Sequence, residues 1–202
     1  MLTKLFERLR STSATMPLAT PKTRPAGSTQ EVSSDATTVA RRIISAKPQR
    51  VGFIPADPEC PVSLAIKNIA VAVTQVSDYG VATIFAPAVL TAPGFQTVEN
   101  SNHIWTMTRH GLVTQYVPSR APLPGEWLRE LGLFLHQSLS DKEIALIDFS
   151  GLREVGELEG ATAMVDAYCV VVRAKKTKEQ ALERACANVP LKRLLGVLLT
   201  DG

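Results

Sequence analysis

The stretch Val51–Val73, VGFIPADPECPVSLAIKNIAVAV, decides how the chain is read. An apolar strand runs into a turn, and a helix begins at once. In a nucleotide-binding α/β protein the phosphate loop lies at this junction, because consecutive backbone N–H groups at a helix N-terminus form an anion site. Here the turn carries Glu59 and Pro61 where glycines would be sought, and Val62 where a lysine would be sought. Pro61 has no N–H and a φ fixed near −65°. Glu59 places a carboxylate against incoming phosphates; a like-charge pair at about 4 Å costs roughly 4 kcal/mol at an effective dielectric near 20. Val62 cannot supply an ammonium to the β- and γ-phosphates. Ser63 keeps a hydroxyl that magnesium could use, although a first-turn serine more often only bonds locally.

Outward from this stretch the pattern is α/β. RVGFIP, VATIFAP, EIALIDFS, AYCVVVRA and KRLLGVLLT read as strands, and HIWTMT and LVTQYV are β-like. Helices are expected over Pro61–Ser77, Gly125–Leu139, the later part of Glu154–Val165, and Lys178–Ala187, with Pro61 in the first turn of its helix. Asp35 is placed to cap a helix, ATTVARRIISA, whose Val39, Ile43 and Ile44 face inward. Apolar strands alternating with helices imply a mainly parallel sheet with helices on both faces, which binds ligands at the carboxyl ends of its strands.

Residues 1–34 read differently. Leu2, Leu5, Phe6 and Leu9 share one helical face, with Lys4, Arg8 and Arg10 mostly elsewhere, and a Ser-, Thr-, Pro- and Ala-rich tether follows. Ten residues make a marginal free helix, so this face would fold against a partner protein or an anionic membrane surface. The expected organisation is therefore residues 1–34 as amphipathic start plus linker, and 35–202 as the α/β domain.

The bulk numbers exclude several classes. With 202 residues, 20% charged and 45% hydrophobic, the chain suits one α/β domain with an extension. A net charge of +3 and 5% aromatics do not make a nucleic-acid surface. Three widely spaced cysteines, Cys60, Cys169 and Cys186, form neither a disulfide framework nor a zinc site, and His103, His110 and His136 lack metal-ligand spacing. No run approaches the roughly 18 apolar residues of a membrane span, and no secretory signal is evident, so a cytoplasmic location is expected.

The C-terminal part, from IALIDFS through VVVRAKKT to LLGVLLTDG, resembles the bacterial tyrosine kinases of polysaccharide synthesis, relatives of the MinD/ParA ATPases. Asp148 and Asp166 match the family's Ile-Asp and Val-Asp positions, Arg173, Ala174, Lys176 and Thr177 match its arginine strand end, and Val51, Gly52, Phe53, Ala56, Pro58 and Ser63 match its first strand and loop. The resemblance runs from about Asp35 to the C-terminus and implies a P-loop NTPase-like fold. It also marks departures. Phe85 and Pro87 stand where the family has the acids of Asp-Ala-Asp, Tyr79, Tyr116 and Tyr168 are scattered rather than gathered as in the family's tyrosine-rich tail, and only Arg41 or Arg42 corresponds to the family's oligomerisation pattern. One residual acid, Asp148, cannot organise phosphoryl transfer without phosphates, lysine and a second acid. The resemblance thus implies a non-catalytic, pseudokinase-like adaptor in exopolysaccharide synthesis or export, with no cofactor and no metal. Its partner would be an inner-membrane polysaccharide co-polymerase or another polysaccharide-synthesis protein, met at the membrane periphery through Leu2, Leu5, Phe6 and Leu9. Two alternatives stay open: a MinD/ParA-like regulator of a cellulose-synthase, secretion or positioning system, and an unconventional nucleotide-binding switch. In the adaptor reading, Phe85, Pro87, Val62 and Pro61 leave the old cleft filled and apolar.

Overall fold

The computed structural model describes residues 34–85, 105–110, 112–118, 124–137, 139–152, 155–187 and 189–200. The chain divides into residues 1–31, outside the described residues, and an α/β unit of residues 32–202. Its helices are α1 (Ser34–Ala46), α2 (Val62–Val76), α3 (Pro124–Gln137), α4 (Val155–Ala163) and α5 (Glu179–Ala187). Its strands are β1 (Arg50–Pro55), β2 (Gly80–Ile84), β3 (Trp105–His110), β4 (Val113–Pro118), β5 (Glu143–Asp148), β6 (Ala167–Arg173) and β7 (Leu194–Thr200).

The strands form one sheet in the order β3-β4-β2-β5-β1-β6-β7. All neighbours run parallel except the β3–β4 hairpin at one edge, where Trp105 faces Pro118 and His110 faces Val113. The continuous apolar runs ALI in β5 and CVVV in β6 follow from burial on both faces. Alternation along each strand sends Val51, Phe53, Leu146 and Val171 into a core with α1 and α2. Ile54, Ala145 and Ile147 point the other way, into a core with α3 and α4. Val170 and Val172 pack on that side against Ala185 and Cys186 of α5.

Local chemistry explains the elements. Helix α2 buries Val62, Ala65, Ile66, Ile69, Ala70 and Val73, the 3–4 spacing of one helical face. Helix α1 begins at Ser34, so Asp35 lies inside the first turn rather than capping it from outside. There its carboxylate still faces the positive end of the helix dipole. Helix α2 likewise starts at Val62, one residue later than expected, and Pro61 is its N-cap.

Strand β1 lies between β5 and β6, while its successor β2 lies beyond β5 and β7 lies beyond β6. Strand order reverses at β1, so the crevice outside its carboxyl end is the natural ligand position of this topology. Residues 56–61 occupy it.

Candidate functional site

The loop from β1 to α2 spends its own backbone donors. Ala56 N–H donates to Val171 O at 2.9 Å, Cys60 N–H to Asp57 O at 3.1 Å, and Glu59 N–H to the Asp57 Oδ1 at 3.1 Å. Pro58 and Pro61 have no N–H to offer. Pro61 takes φ −80° and ψ 63°, an inverse γ-turn that a proline ring tolerates. That turn draws the Val62 N–H onto Cys60 O at 2.8 Å. The amides of Ala56, Glu59, Cys60 and Val62 are therefore bonded within the loop or to β6.

Side chains close the loop further. Arg173, at the carboxyl end of β6, places one guanidinium nitrogen 3.0 Å from Asp57 Oδ1 and the other 2.5 Å from Glu59 Oε2. Thr177 Oγ1 donates to Asp57 Oδ2 at 2.5 Å and accepts the Arg173 N–H at 2.8 Å. Cys60 Sγ donates to Val171 O at 3.2 Å. Burial alone would push the Asp57 carboxyl up. The Thr177 hydroxyl, the Cys60 thiol, the Glu59 N–H and the Arg173 charge outweigh it and hold it below the usual carboxylate range. Glu59 is 77% exposed and turns toward Arg173. Its charge is met within the chain.

The Asp57 carboxylate stabilises the fold in a pH-dependent way. Its folded pKa is lowered, so its contribution is present above the unfolded carboxylate value and is lost as pH falls through the folded one. Arg173→Ala leaves the Asp57 and Glu59 carboxylates without this guanidinium. It should lower the urea midpoint at neutral pH, by less than the loss of a fully buried pair would, because Glu59 is solvated. The cost should shrink at pH values where Asp57 protonates.

The residues singled out from the sequence are placed as follows. Val62 is buried in the α1/α2 core, and Phe85 is fully buried there too. Ser63 Oγ donates to Asp148 Oδ2 at 2.8 Å, and Asp148 Oδ1 accepts the Ser150 N–H at 2.8 Å. Pro87 and the Leu2, Leu5, Phe6 and Leu9 face lie outside the described residues. The filled, apolar cleft expected from these substitutions needs correcting. Val62 and Phe85 do join the core, but the loop beside them is closed by a charged and hydroxyl-bearing network, because Asp57 and Glu59 face Arg173. Asp57 was not singled out from the sequence. The signal was two acids in one short loop, with an arginine ending a strand whose neighbour feeds that loop.

Two further family positions serve the fold. Asp166 Oδ2 accepts the Gln49 and Arg50 N–H groups at 3.0 and 2.9 Å, tying the entry of β1 to β6 at the sheet end remote from the loop. Arg42 donates to Leu195 O of β7 at 3.2 Å, while Arg41 is exposed.

Burial pushes the fully buried Asp148 carboxyl up, against hydrogen bonds from Ser150 and Ser63. A raised folded pKa means that folding favours the protonated acid. Its stabilising effect is complete below the unfolded pKa and is lost as pH rises through the folded one. Asp148→Asn retains hydrogen bonding to Ser63 and Ser150 and carries no charge. It should match the parent in acid and be more stable at neutral pH, as read by thermal unfolding across a pH series. Among the described residues, no group of three or more His, Cys, Asp or Glu side chains is arranged to hold a metal ion. Ser63 and Asp148 are the two oxygen donors of the site that magnesium would use, and they are bonded to each other.

The BceF tyrosine kinase domain superposes with a TM-score of 0.61 at 16% identity, over 82% of this chain and 74% of that one. The chain has the fold of the bacterial tyrosine kinase domains, a P-loop NTPase-like fold. The VpsO kinase domain gives 0.59 at 14% identity, over 83% and 96% of the two chains. A ParA family ATPase from Chlorobium tepidum gives 0.51 at 15% identity, over 75% and 73%. No family model matches the sequence, and no curated protein matches it.

Proposed function

We propose that the chain is a non-catalytic, pseudokinase-like adaptor in bacterial exopolysaccharide synthesis or export, working through protein–protein contact at the cytoplasmic side of the inner membrane. The observation that carries this reading is the loop's hydrogen bonding. Ala56, Glu59, Cys60 and Val62 donate their N–H groups within the chain, and Pro58 and Pro61 have none. A nucleotide would have to break these bonds, displace Arg173 from two carboxylates and find no lysine. The polysaccharide context rests on the sequence resemblance, and the kinase domains among the structural neighbours support its kinase part. Among the described residues no helix is long and apolar enough to cross a membrane. Attachment is therefore assigned to residues 1–34, with Leu2, Leu5, Phe6 and Leu9 as the contact to a co-polymerase or a related synthesis protein.

Calorimetry with Mg-ATP tests the reading. No saturable heat is expected up to about 1 mM nucleotide. Micromolar, magnesium-dependent affinity that disappears in Asp148→Ala would sink it and favour the nucleotide switch. The ParA likeness supports one other reading, a positioning or secretion regulator without ATPase activity. Co-purification from the native host separates the two: a polysaccharide co-polymerase supports the first, a division or positioning component the second.

A further inference from the structure

A cavity of about 320 Å³ lies on the α4/α5 side of the sheet, opposite α2. Its floor is Ile54 and Pro55 at the end of β1, its walls are Leu158 of α4 and Ala181 and Ala185 of α5, and residues 56–58 close one end. The volume falls at the lower end of the range of about 300–1,000 Å³ in which proteins hold small molecules, and the cavity lies beside the loop that follows the carboxyl end of β1. This is not the phosphate side of the loop: Ser63 and Asp148 do not line it.

Among the described residues, the charged side chains that line the cavity are Asp57 and Arg184. Asp57 is already matched by Arg173 and Thr177. Arg184 is exposed, and its Nε donates to Gln180 O of its own helix at 3.3 Å. Its two terminal nitrogens have no partner among the described residues. They form the donor pair of a guanidinium, a shape that meets a carboxylate with two parallel bonds. A phosphate dianion fits less well, because among the described lining residues Arg184 is the one cation not already paired, and a second negative charge would go unmatched.

From this we infer that the cavity binds a small apolar monocarboxylate, its hydrocarbon body between α4 and α5 and its carboxylate on Arg184. The site is independent of nucleotide binding and of the adaptor reading.

The test uses the full chain and phenylbutyrate as probe, with phenylbutanol as the uncharged control. Titration is followed by amide NMR shifts and calorimetry. Saturable binding of phenylbutyrate near or below about 1 mM is expected, with shifts centred on residues 54–58, Leu158 and 181–185. Arg184→Gln should weaken phenylbutyrate about tenfold and leave phenylbutanol unchanged. Ala181→Phe, which fills the cavity, should abolish both; if that variant does not fold, the Arg184→Gln comparison decides. Absence of saturable binding, equal affinity for acid and alcohol, an unchanged constant in Arg184→Gln, or tighter binding of phenylpropyl phosphate would each overturn the assignment.

Discussion

Phe85→Asp, which places an acid where the sequence resemblance aligns an aspartate, should destabilise the fold by at least about 4 kcal/mol and confer no magnesium-dependent nucleotide binding. Phe85 has no exposed surface and packs in the core formed with α1 and α2. Removing the ring forfeits its packing and opens a cavity, the change that costs about 3–5 kcal/mol when a buried phenylalanine is truncated to alanine. The carboxylate then adds a desolvated charge. Lys67 is the nearby cation, with its Nζ 5.8 Å from the ring centre. Any ion pair with it would still leave the carboxylate desolvated in the core, which costs more than an exposed pair returns. Phe85→Leu is the control, expected to lose about 1–2 kcal/mol by the volume change alone. Urea unfolding reads both variants, and a lower midpoint with an unchanged slope marks a pure stability loss. If Phe85→Asp proves nearly as stable as Phe85→Leu, the pocket is open enough to hydrate a carboxylate. A gain of Mg-ATP binding would contradict the view that the loop's own hydrogen bonds exclude phosphate.

How far the sequence reaches can be judged from the loop. The strand RVGFIP, the helix after it and the buried Val62 follow from local periodicity, because each depends on neighbours within a turn or two. The parallel order of the sheet follows from apolar strands separated by helices. The Arg173 bonds to Asp57 and Glu59 do not follow in this way. They join β6 to the loop after β1, and that adjacency exists only once β1 has been placed between β5 and β6. From the sequence Glu59 is a charge aimed at phosphate, since a sequence shows a residue's charge but not the partner that neutralises it. Asp166 shows the same limit from the other side. It aligns with a family position, yet its work is to accept two amides at the start of β1. The Arg184 cavity is further removed still, because its lining comes from four separate parts of the chain.

Gly52→Ala should cost about 3 kcal/mol, although it adds a single methyl group to a central strand. A Cβ at Gly52 would overlap the Phe149 ring at Cε2, far inside contact distance. That ring is not a flexible end that can swing aside. Phe149 has no exposed surface and meets Trp127 edge-on, with ring centres 6.2 Å apart at 87°. Its N–H is bonded to Phe53 O at 3.0 Å. Either β1 must shift against β5 and β6, or the aromatic pair must move as a unit, and well-packed interiors resist both. Because Phe149 directly follows Asp148, relief by ring movement would also disturb the Asp148 bonds to Ser63 and Ser150. A double-mutant cycle with Phe149→Leu separates the causes. If the clash with the ring is the origin, the double variant should be more stable than the sum of the two single losses predicts, by about 1–2 kcal/mol. Strict additivity would instead place the cost in the strand backbone. The glycine of the family's first-strand motif then has a reason in this chain that has nothing to do with nucleotide: it is the seat that lets Phe149 lie flat on the sheet beside the loop.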